Sequence, residues 1–217
     1  MNFERPQLIR DEIYQLLRHQ ILSGGIQPGA RIAEIELCER FGVSRTPIRE
    51  AIQRLVQEGM LEANANKSVR VRVLSAEEAR QSYEVREALD GLAAELAAQH
   101  YTEEDAASLR DALHDLKQDR DDYREQTRLD LLFHRKIALA SHNQMLVQAL
   151  NNLEHTVAII KHMTGTYNLM PETTVQHEAI LDAILQRDVK TAGQLARDHV
   201  RFFGDLVVQQ LHEMTRN

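Results

Sequence analysis

The chain has 217 residues and a mass of 24.9 kDa, with 43% hydrophobic and 27% charged residues, enough for one large or two modest domains with real cores. The low aromatic content of 5% and the absence of Trp are typical of a helix-rich protein. A single cysteine, Cys38, excludes an internal disulfide, and no apolar run reaches the roughly 18 residues of a membrane span. The charged N-terminus lacks the apolar core of a signal peptide. We therefore expect a soluble, cytoplasmic, mostly α-helical protein with no membrane partner.

The net charge of −7 is unevenly distributed along the chain. Residues 1–74 hold 11 Lys and Arg against 9 Asp and Glu, a net of +2, whereas residues 75–217 hold 15 against 24, a net of −9. A basic N-terminal third inside an acidic chain leaves nucleic-acid binding open. The shift predicts one domain over residues 1–74 and a second over residues 75–217.

The first part of the chain predicts two helices separated by a loop. Apolar residues follow a helical stripe from residue 8 to residue 22, and "SGGIQPGARI" at 23–32 breaks the pattern with three glycines and a proline. A second, short helix is predicted over residues 33–41. Gly42 follows it as the expected C-cap.

A third helix is predicted over residues 45–59, with Ser44 as its N-cap and Pro47 in its first turn, where a missing N–H costs nothing. One face of this helix is apolar and carries Ile48, Ile52 and Leu55. Another face is polar and carries Arg45, Arg49 and Gln53, spaced four residues apart.

A β-strand is predicted over residues 69–73, where valines alternate with arginines, and "NANKS" at 64–68 is the expected turn before it. Three helices followed by a hairpin are the order of a winged helix-turn-helix, whose recognition helix enters the major groove with its N-terminal residues on the bases. The alternative is a small helical domain whose arginines form an ordinary solvated face.

The segment "GGIQPGARIAEIELCERFGVSRTPIREAIQRLVQEGML" closely resembles the N-terminal domain of the GntR family of bacterial transcription regulators, over about residues 8–73. The resemblance implies DNA contacts from Arg45 and Arg49, supported by Ser44 and Thr46 at the start of the recognition helix. It also implies that the tip of the wing reaches the minor groove.

Two positions depart from the family pattern. The family usually has glycine at the tip of the wing, where this chain has Ser68, although Lys67 beside it could still reach a phosphate. Some members carry an arginine on the second helix, where this chain has Ile35, so contacts from that helix are not carried over.

The C-terminal two thirds predict six helices and no strand, and hence an all-α antiparallel bundle. Capping patterns begin the first helix, at Ser75 and Glu78, and the second, at "TEED". The predicted helices cover residues 75–100, 102–120, 121–143, 144–163, a fifth ending at 185 and a sixth over 189–211.

Asp130 and His134 are spaced i, i+4 and therefore project from the same face of a predicted helix. His177 and His199 each lie on an apolar stripe that faces the bundle interior. A single inward histidine is more often a hydrogen-bonded core residue than a ligand, and a helix pair supplies only two of the three or four ligands of a transition-metal site. Burying three imidazoles and a carboxylate without mutual compensation would be costly, which favours a shared site.

The segments "YEVREALDGLAAELAA", "LDLLFHRKIALASHN" and "QHEAILDAILQRDVKTAGQLARDHV" look like the FCD effector domain of the FadR subfamily of GntR regulators, over about residues 79–203. In many members of that domain an Asp, the His four residues later and two further histidines bind a divalent metal. The resemblance therefore implies that Asp130, His134, His177 and His199 are metal ligands. A branch that binds fatty acyl-CoA lacks this set.

Such a site leaves coordination positions open for a small organic acid, and Arg86 and Arg135 could clamp its carboxylate. Three imidazoles and one carboxylate suit Zn, Ni and Mn alike. We expect a homodimer that binds a pseudo-palindromic, double-stranded DNA operator, with its affinity controlled by a small carboxylate or sugar acid at the metal. A hinge is expected near residues 74–77.

Two other functional classes are compatible with parts of this pattern. A metal-dependent enzyme fused to a DNA-binding module is the alternative, but Glu178, next to His177, should point about a third of a turn away from the ligands. An architectural DNA-binding protein would need neither a metal pocket nor an acidic second domain. The sequence thus favours a regulator that is not an enzyme.

Overall fold

A computed structural model describes residues 4–63, 68–118, 122–165 and 172–216, with side chains from residue 9 onward. The chain divides into two compact units, Met1–Val73 and Leu74–Asn217. None of the described helices is long and apolar enough to cross a membrane.

The first unit contains three helices and a three-stranded antiparallel sheet with strand order β1-β3-β2. Its elements are α1 (Glu4–Leu22), β1 (Arg31–Ile32), α2 (Glu34–Phe41), α3 (Arg45–Gln57), β2 (Leu61–Ala63) and β3 (Val69–Val71). The order of three helices and a hairpin confirms the predicted winged helix-turn-helix.

Local sequence patterns explain how α1 and α3 pack. Ile13, Leu17 and Ile21 lie on one stripe of α1 and are buried, as are Ile48, Ile52 and Leu55 on α3. Gly42 has a φ of 63° and closes α2 as the predicted left-handed C-cap. The recognition helix is thereby fixed on α1 by its apolar face, which leaves its arginine face outward.

The sheet and the helix boundaries of this unit differ in detail from the sequence prediction, and α1 begins at Glu4 instead of residue 8. Arg31 and Ile32, predicted as loop, form β1 and pair with Arg70 and Val69 of β3. A strand of two residues has no periodicity to detect, and its conformation comes from pairing with a distant segment. The strand β3 ends at Val71 instead of residue 73. The helix α3 ends at Gln57 instead of residue 59.

The second unit is a bundle of six helices in the part of the chain that is described, which confirms the predicted mostly α fold. They are α4 (Ala76–His100), α5 (Glu103–Lys117), α6 (Tyr123–Ala140), α7 (Gln144–Thr164), α8 (Glu172–Leu185) and α9 (Val189–Arg216). Both predicted capping boxes are present, Ser75 with Glu78 on α4 and Thr102 with Asp105 on α5. The last helix extends five residues beyond the predicted end at Leu211.

Small residues allow α4 and α9 to approach closely. A Cβ atom added at Gly204 would lie 2.9 Å from the Cβ of Tyr83, a distance that real Cβ atoms essentially never show. Further along α4, Ala93 and Ala97 belong to the hydrophobic core of the bundle together with Phe133 of α6. This packing places α4 and α9 next to α6 and α8, whose polar side chains turn inward.

Candidate metal centre and nucleic-acid interface

Three helices bring the four predicted metal ligands together inside the second unit. Asp130 and His134 come from α6, His177 from α8 and His199 from α9. All four are buried, and one potential ligand atom from each lies within 4.8 Å of the others. Helical spacing aligns the first two, and the apolar stripes of α8 and α9 turn the two further imidazoles toward them.

The distances between potential ligand atoms are short. His177 Nε2 lies 3.1 Å from His199 Nε2 and 3.5 Å from Asp130 Oδ1. His134 Nε2 lies 4.0 Å from the same carboxylate oxygen. Three nitrogen atoms and one oxygen atom therefore face a common centre.

The hydrogen bonds around the cluster fit a divalent cation at that centre. The Nδ1–H of His199 donates to Gln176 Oε1 at 2.8 Å, which leaves the Nε2 lone pair of His199 facing His177. Two imidazole lone pairs 3.1 Å apart repel each other unless a proton or a cation lies between them. Asp130 Oδ1 is buried and has no hydrogen-bond partner in the described part of the chain, so it too offers a lone pair.

The protonation states also suit metal ligands. Burial lowers the pKa of His177 to about 4, and it holds the pKa values of His134 and His199 well below the usual imidazole range. Burial alone would raise the pKa of Asp130, but the Lys161 ammonium and the neighbouring positive groups hold it well below its ordinary value. At neutral pH the site therefore presents neutral imidazoles and an ionised carboxylate, the forms that bind metals.

Three residues that the sequence analysis missed support this cluster. Lys161, on α7, donates to Asp130 Oδ2 and is buried. Asp90, on α4, accepts from Arg86 Nε at 2.9 Å, and its Oδ2 lies 3.6 Å from His134 Nδ1. Gln176 is the third. The available signals were a lysine inside the apolar run "TVAIIKHM" and the i, i+4 spacing of Arg86 and Asp90.

A cavity opens beside the cluster, between α4, α6 and α7. Both arginines predicted to bind an effector line it, together with Asp90 and His134. Arg86 is buried and paired with Asp90, whereas Arg135 is exposed. The remaining lining is mainly apolar and includes Leu131, Ala138, Leu150 and Val157. The cavity thus joins an apolar wall to a polar end at which His134 and the Arg86–Asp90 ion pair lie, and Glu154 also lines it.

In the first unit, the residues predicted to contact DNA cluster at the start of α3. Ser44, Arg45, Thr46 and Arg49 are all exposed. Ser44 occupies the N-cap position with an extended backbone, as predicted, but its side chain makes no capping hydrogen bond. Lys67 lies outside the described residues.

Two of these residues, Arg45 and Arg49, border a concave surface formed by α2, α3 and the sheet. Arg31, Ile35, Arg45, Arg49 and Ser68 are among those that line it. The side chain of Arg49 is 62% exposed and its Nε donates to Glu34 Oε2 at 2.8 Å, which raises the pKa of the guanidinium. Ile35, at the position where some family members have arginine, is 57% exposed.

Arg31 is a third arginine on this concave surface, whose lining also includes Glu34 and Glu36, and it was not predicted from the sequence. It lies opposite Arg70 in the register of β1 and β3. The side chain of Arg70 is exposed. Two arginines facing each other across strands repel, and a phosphate backbone would relieve that repulsion.

Comparisons with known proteins place both units in one family. The model for bacterial regulatory proteins of the gntR family matches residues 9–71, and the FCD domain model matches residues 81–202, more than half of the chain. The galactonate operon transcriptional repressor of Escherichia coli (strain K12) is 30% identical over 217 residues, covering 86% of this chain and 91% of that protein. The uncharacterized HTH-type transcriptional regulator YdhC of Bacillus subtilis (strain 168) is 29% identical over 200 residues, covering 90% and 89%.

A solved structure shows the same fold. Escherichia coli McbR/YncC superposes with a TM-score of 0.81 at 23% identity, covering 93% of this chain and 98% of that one. The relatives are transcription regulators and not enzymes, which confirms that interpretation of the sequence. The chain therefore belongs to the GntR family of bacterial regulatory proteins: it is a DNA-binding transcription regulator with an FCD effector domain.

Proposed function

We propose that this regulator binds a pseudo-palindromic operator as a homodimer, and that a small organic acid bound at a divalent metal controls its affinity for DNA. The observation that carries the proposal is the convergence of Asp130, His134, His177 and His199 on one buried centre. Burying these four groups together is costly unless a cation compensates them.

Asp130 Oδ1 and one ring nitrogen from each histidine would hold the metal. When bound, the metal would supply Lewis acidity and open coordination positions for oxygen atoms of the ligand. The set of three nitrogens and one oxygen suits Zn, Ni and Mn, so the metal is assigned only as a divalent transition ion. The hydrogen bond from His199 to Gln176 would keep the ring oriented toward it.

Arg86 and Arg135 would bind the carboxylate of the acid, since both line the cavity next to His134. Guanidinium groups pair with carboxylates through two parallel hydrogen bonds. A relative named for the galactonate operon supports a small carboxylic or sugar acid as the ligand class.

The DNA-binding residues proposed for each protomer are Ser44, Arg45, Thr46, Arg49 and Lys67. Arginines at the start of a recognition helix reach guanine edges, and hydroxyl and ammonium groups beside them bind phosphates. A two-fold symmetric dimer would read two half-sites about one helical turn apart. We further propose domains over residues 1–74 and 75–217 with a hinge near residues 74–77. Ligand binding would then shift the population of operator-competent dimers.

Metal analysis combined with a thermal-shift screen tests the proposal. The purified protein should contain a divalent transition metal, and small carboxylic or sugar acids should raise its melting temperature when the metal is present. If an acid raises the melting temperature by the same amount before and after chelation of the metal, the acid does not bind at the metal.

Replacing Gln176 tests the support of the metal ligand His199. Because Gln176→Leu removes the acceptor for His199 Nδ1–H, we expect metal affinity to fall by roughly 10–100-fold. Titration with Zn²⁺ would measure it. Gln194→Leu, which removes an exposed hydrogen bond on α9, is the control and should bind metal as the wild type does. Equal affinities in all three proteins would contradict this role.

A further inference from the structure

We propose that Lys161 couples the affinity for the metal to binding of an acid that carries two negative charges, so that a dicarboxylate is the preferred effector. This inference rests on the proposed function and adds the charge class of the ligand. Lys161 lies on α7, a helix that contributes none of the four proposed metal ligands.

The buried charges balance before a metal is added. Among the described residues, four ionisable side chains of the Asp, Glu, Lys and Arg types are buried: Arg86, Asp90, Asp130 and Lys161. Arg86 pairs with Asp90, and Lys161 pairs with Asp130. With neutral histidines, two positive and two negative charges leave no net charge inside the bundle.

Lys161 uses the same carboxylate that the metal would use. Its ammonium binds Asp130 Oδ2, whereas Asp130 Oδ1 faces His177 Nε2 at 3.5 Å. The Lys161 side chain is only 4% exposed, and its Nζ lies 4.8 Å from the centre of the Phe203 ring, so the ammonium cannot reach bulk water without repacking. A divalent ion at Oδ1 would therefore be held beside a fixed positive charge.

Two physical consequences follow from this arrangement. The metal adds two uncompensated positive charges to a buried, previously balanced site, which is costly in a medium of low dielectric constant. A dianion in the adjoining cavity, next to His134 and Arg86, restores the balance. A monoanion restores only half of it. By linkage, metal and dianion must raise each other's affinity by the same factor.

Lys161→Met tests this inference because it removes one positive charge and keeps the length of an unbranched side chain. We would measure the Zn²⁺ dissociation constant in the full chain, at buffered free Zn²⁺, alone and with L-malate or 2-hydroxybutyrate. Both probes are four-carbon 2-hydroxy acids, and they differ by one carboxylate. In the wild type we expect malate to tighten Zn²⁺ binding roughly tenfold more than 2-hydroxybutyrate does.

In Lys161→Met we expect Zn²⁺ alone to bind roughly tenfold more tightly than in the wild type, because Asp130 loses its competing cation. The advantage of malate over 2-hydroxybutyrate should shrink by a similar factor. Simple structural damage would weaken Zn²⁺ binding, so the opposite sign separates the two explanations. Lys161→Arg keeps the charge and should retain the wild-type preference for malate, with circular dichroism checking the fold of each variant.

Two results would overturn the inference: Zn²⁺ binding to Lys161→Met that is unchanged or weaker, or an equal effect of the two acids on the wild type. His177→Ala serves as the reference for loss of the metal site. If the wild type binds Zn²⁺ no better than His177→Ala, the proposed function itself fails. If His177→Ala loses Zn²⁺ and the effects at Lys161 are absent, only the present inference fails.

Discussion

Arg49→Ala is expected to abolish specific operator binding while the second unit keeps its metal. Arg49 is exposed at the start of the recognition helix and lines the concave surface of the first unit with Arg45. A bidentate contact to a base contributes about 1–3 kcal/mol of discrimination, and a dimer would lose two such contacts, about 2–6 kcal/mol in total. Fluorescence anisotropy with an operator selected from random duplexes would measure the loss.

Arg40→Ala is the matched control for this experiment. Arg40 is an exposed arginine on α2 that does not line the concave surface. Its replacement by Ala removes the same charge from the same unit as Arg49→Ala does. We expect this variant to lose little affinity. Normal operator binding by Arg49→Ala would show that the recognition-helix assignment is wrong. An equal loss in both variants would show that only net charge matters.

The dependence of operator affinity on salt distinguishes the two roles open to Arg49. Removing a phosphate contact lowers the magnitude of the salt slope by about one unit per contact, whereas removing a base contact relaxes the sequence preference. The hydrogen bond from Arg49 Nε to Glu34 Oε2 holds the guanidinium at the concave surface between α2 and α3. We therefore expect relaxed sequence preference to be the larger effect.

His177→Ala is expected to remove most of the bound metal. His177 is fully buried, and its Nε2 lies within 3.5 Å of both His199 Nε2 and Asp130 Oδ1, so its loss removes the central member of the cluster. The metal content found by elemental analysis should fall from roughly one metal per chain to background, because the substitution leaves three of the four proposed ligands and removes the imidazole that lies between His199 and Asp130. Stabilisation by added metal, about 2.7 kcal/mol at one hundred times the dissociation constant, should disappear with it.

His212→Ala controls for the loss of a histidine as such. His212 is exposed near the end of α9 and lies outside the cluster, so its metal content should equal that of the wild type. Unchanged metal content in His177→Ala would rule out the proposed site. Circular dichroism on both variants would confirm that the bundle is retained.

The sequence predicted those features that depend on local spacing. The apolar stripes of α1 and α3, the Gly42 cap and the capping box at Ser75 are local, and each appears where it was expected. The inward orientation of His177 and His199 follows from the same periodicity. Asp130, His177 and His199 meet at one centre because three helices pack together. Their common role was predicted from the family resemblance.

The features that the sequence missed depend on distant segments. The strand β1 exists through its pairing with β3, about 38 residues later along the chain, and two residues carry no periodic signal. Lys161 is thirty-one residues from Asp130, so their ion pair is set by the packing of α7 against α6. Glu34 reaches Arg49 only because α2 and α3 fold together across the turn.

Operator affinity measured at controlled metal and acid concentrations tests the central claim most directly. The probe acid is the one that gives the largest metal-dependent stabilisation in the thermal-shift screen. In the metal-loaded wild type we predict that this acid changes the operator dissociation constant by roughly 5–150-fold, the usual range of coupling between two sites. The change should vanish after chelation and in His177→Ala. Two results would contradict control of DNA binding through the metal. The acid would leave the operator affinity of the wild type unaltered, or it would alter the operator affinity of His177→Ala by the same factor.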